Sequence, residues 1–346
     1  MSIKHNILSL TILSLCMFMQ GCKLIDDDLS VCGVDAQITY QVKLITTLDL
    51  ELNTVLNMDT DQYVRATMKK YFSNIFVDYV HDVDLSFYSQ VTNERVYHEN
   101  HIIDASEKSF VLYLKSDNYQ HLSACNIDDA VNVSLMGDEL PETMQLKQQE
   151  GDTLESQTTG LFTARLQMNV NNDSSQNFIV PLYMANSGVG IVVDTVGSHV
   201  QNIDIYVQDM ATDFYVNDSL YQFNSNPAIH LDYIAMLPHP KHQSDMQEMP
   251  AETGTEKRLC YGAACFPSRD TLVTSDYAWR MILFITTENG KIAKTTFNVK
   301  QPLQASQLRI LKARLKSNGE AESITADVGA SVDLDWHAGN EFNPEL

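Results

Sequence analysis

Between residues 36 and 44, apolar Ala36, Ile38, Tyr40, Val42 and Leu44 alternate with polar Gln37, Thr39, Gln41 and Lys43. A period of two puts every second side chain on one face, so this segment predicts a half-buried β-strand. The period then changes. Val64, Met68, Tyr71, Phe72 and Ile75 recur at three-to-four-residue spacing behind Asp61, a residue able to cap a helix start, and one short helix is expected there. Strand patterning returns at Val83, Leu85 and Phe87, with a turn near Thr92-Asn93 and short apolar runs at residues 110–114 and 121–125. Further strands are predicted at residues 161–170, 178–184 and 189–194, with Asn186-Ser187-Gly188 as the candidate domain break. In the second half Ile203, Ile205 and Val207 alternate, and residues 277–286, 291–299 and 308–315 read as strands, the last also as a short helix. Val332, Leu334 and Trp336, opposed to Asp333 and Asp335, predict a last strand with one buried face.

Two stretches, residues 137–159 and 238–256, are polar, lack any apolar period and read as exposed loops. Short strands at this spacing predict an all-β (mainly β) fold, packed as two β-sandwiches over residues 34–187 and 188–346. A chain of 346 residues with 44% apolar composition can bury two such cores.

The first 33 residues follow other rules. Residues 1–21 read as a signal peptide: Lys4 and His5 precede an apolar run from Ile7 to Met19 that stops at Gln20-Gly21-Cys22. That run of 13 is too short to span a bilayer, which takes about 20 apolar residues. A small residue directly before a thiol makes this a lipoprotein leader, cut before Cys22, with lipid carried on that cysteine. Met19 and Gln20 depart from the usual residues of such a cut. Residues 22–33 form an acidic linker containing Asp26, Asp27 and Asp28.

The formal charge is -22 at pH 7, and no basic stretch interrupts it. Nucleic acid is excluded as a partner, because binding it requires phosphates to be neutralised by Lys and Arg. Six cysteines are present; Cys16 leaves with the leader and Cys22 takes lipid, so Cys32, Cys125, Cys260 and Cys265 remain. In an oxidising compartment these four suggest two disulfides, for which sequence permits three connectivities. Cys260 and Cys265 are close enough in sequence to close a small loop, leaving Cys32 with Cys125; free buried thiols are the competing reading, and a metal the weakest, since zinc favours tighter pairs.

Catalytic patterns are missing: there is no Gly-x-Ser-x-Gly elbow and no phosphate-cradling glycine loop. His98-Glu99-Asn100-His101 falls one residue short of the zinc-protease spacing. His230, His239 and His242 read as solvated, and no metal or other cofactor is expected. Asp82 with Asp84, and Asp333 with Asp335, have the i, i+2 spacing of one strand face and read as solvent-facing positions. The thirty aromatics fall mostly on the apolar phase of strands and read as core.

With these residues laid out, the chain resembles the FimB-type anchor subunits of type V fimbriae in the Bacteroidales. The likeness is carried by CKLIDDDLSVC (Cys22 to Cys32) and the strand ending at Tyr40. It continues through VHDVDLSFYSQVTNERV from Val80, YQHLSACN from Tyr119, TGLFTARLQMNV and FIVPLYMANSGVGIVV up to Val193, and the closing SVDLDWHAGNEFNPEL. Ser123-Ala124-Cys125 and the His-rich loop depart from the family pattern. The resemblance implies two transthyretin-like sandwiches and no enzymatic activity. It also implies outer-membrane attachment through lipid on Cys22, surface export signalled by Asp26, Asp27 and Asp28, and a fimbrial shaft partner joined by strand exchange or edge contact. A surface glycan-binding lipoprotein is the second reading.

Overall fold

The computed structural model describes residues 35–45, 62–76, 80–103, 108–171, 175–195, 200–238, 257–269, 277–316, 318–325 and the backbone of 328–333. The first half holds β1 (Ala36–Ile45), α1 (Gln62–Ile75), β2 (Asp82–Ser89), β3 (Arg95–Ile102), β4 (Ser109–Leu114), β5 (Asp117–Cys125), β6 (Val133–Met136), β7 (Gln145–Gln148), β8 (Thr153–Leu154), β9 (Phe162–Val170) and β10 (Gln176–Met184). The second holds β11 (Ser187–Thr195), β12 (Val200–Gln208), β13 (Asp213–Tyr215), β14 (Leu220–Gln222), β15 (Ala228–His230) and β16 (Asp232–Pro238). It continues with β17 (Lys257–Cys265), β18 (Trp279–Thr287), β19 (Ile292–Val299), β20 (Leu308–Leu315), β21 (Ala321–Ser323) and β22 (Val328–Asp333). The fold is all-β with one helix among the described residues, as the periodicity predicts. No helix among them is long and apolar enough to cross a membrane.

Seven strands of the first half pair in the order β3-β2-β5-β9-β10-β1-β4. β9 and β10 share only the pairs Thr163↔Tyr183 and Phe162↔Met184, so the sheet turns a corner there and folds its flanks onto each other. At the far side the ring of His101 on β3 stacks on Phe110 of β4, centroids 3.9 Å apart, so the outermost strands touch there without pairing. The alternation read from sequence sets the interior: Ile38, Tyr40, Val83, Leu85, Phe87, Leu112, Val180 and Leu182 share one core. The predicted Thr92-Asn93 turn is present, with Asn93 at φ 58°, a left-handed position that Asn tolerates.

At the centre of this sandwich sits a histidine. His121 is fully buried, with Nε2 2.7 Å from Tyr40 Oη and Nδ1 3.1 Å from Ser86 O. One arrangement satisfies all three groups: Nδ1–H donates to the Ser86 carbonyl while Tyr40 donates to Nε2. Burial pushes the imidazole down to about 4, so the ring is neutral at pH 7.

The outer face of β2 and β5 is covered by a four-stranded sheet, β14-β13-β7-β6, to which each half contributes two strands. Tyr88, Leu122, Met144, Leu146 and Phe214 pack between the layers. Two expectations are corrected here. Residues 137–159 are not simply an exposed loop: β7 pairs with β13, β8 pairs with β15, and Met144, Leu146, Gln148 and Gln157 are buried. The strands are too short to show a period, and isolated apolar residues anchor them. Asp82 and Asp84 are likewise not solvent-facing positions: Asp82 is buried and Asp84 half-buried, with Ile127 against the first and Asp138 near the second. Asp82 is 3% exposed, and its Oδ1 accepts from the Ile127 amide at 3.1 Å.

The second sandwich pairs a five-stranded sheet, β16-β17-β11-β20-β21, with a six-stranded one, β22-β19-β18-β12-β15-β8. Val189, Ile191, Val193, Ile203, Ile205, Val207, Trp279 and Leu283 fill the space between them. β20 runs parallel to β11 from Gly188↔Leu308 to Thr195↔Leu315, so the helical alternative for residues 308–315 is lost to sheet pairing. The last strand, β22, pairs with β19 through Val328–Asp333; Leu334, Asp335 and Trp336 lie outside the described residues.

α1 joins the halves. Its apolar stripe, Val64, Met68, Phe72 and Ile75, lies on the outer face of the β17-β11 pair beside Val192, Cys260, Ala264 and Leu308. Gly190 and Gly262 face each other across those strands, and a Cβ on them would meet Met68 Cε at 2.5 Å and Tyr71 Cε1 at 2.7 Å. The absence of side chains there lets the helix touch backbone. Tyr71 Oη lies 2.7 Å from Asp232 Oδ2 and 2.8 Å from Gly262 O, adding a polar tie to the seam. The segment expected as a break is equally fixed. Asn186 is buried and donates to Gln157 Oε1 at 2.9 Å and Thr159 O at 2.8 Å.

Candidate subunit-binding groove

On one side the second sandwich stays open. β15 covers β12 only at Tyr206↔His230 and Val207↔Ile229, with Leu231 N donating to Ile205 O at 2.8 Å. Beside residues 200–204 no strand is placed on that side among the described residues. β16 ends its own sheet, so its second edge is also unpaired there. Between these edges lies a groove of about 650 Å³, floored by Leu259 and Tyr261 and walled by Asn202, Asp204, Tyr233 and Met236.

The local sequence explains the arrangement. Ile203, Ile205 and Val207 take the inner phase of β12, leaving Asn202 and Asp204 on the other phase, joined by a 2.8 Å hydrogen bond from Asn202 Nδ2 to Asp204 Oδ2. The bulge between Tyr233 and Ala235 interrupts the β16–β17 register, and Tyr233 and Met236 remain 54% and 50% exposed. Bulges blunt an edge against indiscriminate pairing. Tyr233 packs edge-on against Tyr261, centroids 5.5 Å apart, while burial raises the Tyr261 phenol above its ordinary range. Its hydroxyl donates to Ile203 O at 3.4 Å, tying β17 to β12 across the floor. Among the described residues the arrangement offers unpaired strand edges, aromatic surface and a carboxylate, groups suited to an extended chain or a polar ligand.

Sequence reasoning did not single out these lining residues. The one available signal was the Asn202 and Asp204 phase of an otherwise apolar strand, which says "outside" without saying "beside a groove". Among the residues it did single out, Cys22, Asp26, Asp27, Asp28 and Cys32 lie outside the described residues, as do His239 and His242. His98 and His101 lie three apart on strand β3, as expected for a segment that is not a helix. The small Cys260–Cys265 loop is corrected: both residues stand in β17, where five steps of about 3.3 Å far exceed the reach of a disulfide. Cys260 packs on the α1 side of the sheet and Cys265 in the core of the second sandwich. Cys125 and Cys265 are buried free thiols, and burial raises both above their ordinary range.

Two sandwiches sharing a seam, with a groove between strand edges that are unpaired among the described residues, define a two-domain β-sandwich protein. Residues 49–249 match the family model of fimbrillin-A associated anchor proteins Mfa1 and Mfa2, and this chain belongs to that family. The resemblance to anchor subunits read from the sequence therefore holds, and the family implies a structural role in fimbriae at the cell surface. Among solved structures, an adhesin-like protein from Bacteroides thetaiotaomicron VPI-5482 is 11% identical over 86% of this chain and 96% of that one, with a TM-score of 0.51, and shares the fold. The fimbrial anchor protein Mfa2 from Porphyromonas gingivalis is 10% identical over 87% of this chain and 98% of that one, at a TM-score of 0.45. The tip fimbrial protein Mfa3 from the same organism, truncated at its C-terminus, is 10% identical over 87% and 100%, at 0.39. No curated protein matches the sequence.

Proposed function

We propose that this chain is the lipid-tethered anchor at the base of a type V fimbria, holding the fibre to the outer membrane through Cys22 and limiting its length. Asp26, Asp27 and Asp28, following the lipid site, direct it to the outward-facing leaflet. The observation that carries the reading is the groove between β12 and β16 in a member of an anchor family. An extended segment of the shaft subunit adds to one of these edges, its backbone satisfying the unpaired groups and its side chains entering the groove. Affinity then comes from main-chain hydrogen bonds, and selectivity from Tyr233, Met236 and Asp204.

The test is copurification of the full mature chain with shaft protein from cells, beside fibre length after gene deletion. Retention of shaft protein, its loss in Tyr233→Lys/Met236→Lys, and longer or shed fibres after deletion are expected. Fibres of unchanged length and attachment would sink the anchor role, and a double variant that retains the shaft would remove the groove from it. Exposed Tyr233 beside Asn202 and Asp204 also suits stacking and hydrogen bonding to a sugar. Saturable polysaccharide binding abolished by Tyr233→Ala, without shaft copurification, would favour that second reading.

A further inference from the structure

Away from the groove, under the residues that cover β2, two positions that the sequence presents separately come together. Ser86 pairs with His98 and Asp84 with Asn100 across β2 and β3, which puts Asp84, Ser86 and His98 on one face. The loop after β6 brings in a third group. Gly137, at φ 67°, starts a turn closed by Thr143 Oγ1 donating to Gly137 O at 2.6 Å and lying 3.1 Å from Leu140 O. Tyr88 Oη donates to the Asp138 carbonyl at 2.6 Å, and Arg95 pairs with the Asp138 carboxylate and, at 2.7 Å, with Glu139. Asp138 is thereby held against β3 with its carboxylate turned toward His98.

The result is a constellation of one imidazole nitrogen and two carboxylates. His98 Nδ1 lies 3.7 Å from Asp84 Oδ1 and 4.0 Å from Asp138 Oδ2, and the three atoms all fall within 4.8 Å of one another. Asp84 Oδ1 is buried and accepts no hydrogen bond. A charged oxygen desolvated without a donor is costly unless a cation faces it. Around the trio, Asp84, Asp138 and Glu139 carry three negative charges against the one positive charge of Arg95. A divalent ion would bring the sum to zero.

We propose that Asp84, His98 and Asp138 bind a divalent first-row transition ion of the zinc class through His98 Nδ1 and one oxygen of each carboxylate. A nitrogen with two oxygens is a donor set such ions accept at bond lengths near 2.0–2.1 Å, which requires neighbouring ligand atoms about 3.3 Å apart. The two nitrogen–oxygen separations, 3.7 and 4.0 Å, are longer than that, and the carboxylate oxygens lie within 4.8 Å of each other, so rotation of the side chains must draw the three atoms in on binding. The Ser86 hydroxyl, 3.4 Å from His98 Nδ1, or a water completes the set. Arg95 and Tyr88 act as the outer shell that orients Asp138. His98 is 38% exposed against 14% for Asp84, so the ion enters past the imidazole. Bound there, it pins the residue 137–143 turn to β3.

The test uses the full mature chain, freed of metal with a chelator and dialysed, then titrated with ZnCl2 by calorimetry at pH 7. One saturating equivalent is expected, together with a raised melting temperature. His98→Gln and Asp84→Asn should each weaken binding at least tenfold, while His230→Gln leaves it unchanged. Circular dichroism of each metal-free variant establishes that it is folded. Cobalt(II) added in place of zinc should give a visible ligand-field spectrum that His98→Gln abolishes. No saturable heat with the wild-type chain would overturn the proposal, as would zinc or cobalt binding equally well to both variants, which would put the ion elsewhere.

Discussion

The two sandwiches of this chain differ in how near their sheet edges come to each other. The first bends one seven-stranded sheet until its outermost strands, β3 and β4, touch at one point, His101 stacking on Phe110 without strand pairing, and it keeps a hydrogen-bonded histidine at its centre. The second has a core of apolar side chains between two separate sheets and leaves β12 and β16 apart with a groove between them. Closure protects a domain from unintended pairing, whereas an open edge invites a partner. On the proposed function, the first sandwich supports and the second, with its groove between β12 and β16, receives.

The contrast can be broken at several points. The largest effect is expected at the seam, where Phe72→Ala should cost about 3–5 kcal/mol as the helix loses its anchor on the second sandwich. Denaturant unfolding followed by intrinsic fluorescence should then split into two transitions, because the halves lose their shared core; a single unshifted transition would show the seam to be unimportant.

Next comes pH. Neutral His121 titrates near 4 in the fold, against ~6.5 in an unfolded chain. Protons therefore bind the unfolded chain first, and stability present above pH ~6.5 is lost as the pH falls to about 4, by roughly 3 kcal/mol. Asp84 has the opposite sign: its carboxyl, raised to about 6 from 3.8, takes up a proton in the fold first and adds stability over that interval. The difference between wild type and His121→Gln isolates the histidine, and a flat difference curve would show that the first core is no more acid-sensitive than the second.

Tyr71→Phe, which removes the hydroxyl at Asp232 and Gly262 O, should cost about 1–2 kcal/mol in the same unfolding measurement. The smallest effect on stability belongs to the groove. Tyr233→Ala and Met236→Ala replace half-exposed side chains and should stay within about 0.5 kcal/mol of wild type while reducing partner binding. A large destabilisation there would mean that the groove is part of the core and not a receiving surface.

Much of this architecture was legible in the sequence because burial leaves a period. The alternation from Ala36 to Leu44 and the spacing of Val64, Met68, Phe72 and Ile75 gave β1 and α1 nearly to the residue. What failed was local signal too short to have a period: β7 and β8 are four and two residues long and looked like loop. Asp82 and Asp84 failed for another reason, since a strand's second face says nothing about what a distant segment lays across it. The groove was illegible because it exists only where β12 and β16, remote in sequence, fall short of each other. Cys260 and Cys265 looked like a pair by separation alone; their opposite parity on one strand, visible only once the strand is recognised, keeps them apart.

The facing glycines, Gly190 and Gly262, have a mechanical consequence. With α1 resting directly on backbone, a pull on the second sandwich would reach the first, among the described residues, as shear across close-packed apolar surface. Such a seam spreads load over many contacts at once, and under tension the two halves are expected to part there in one step.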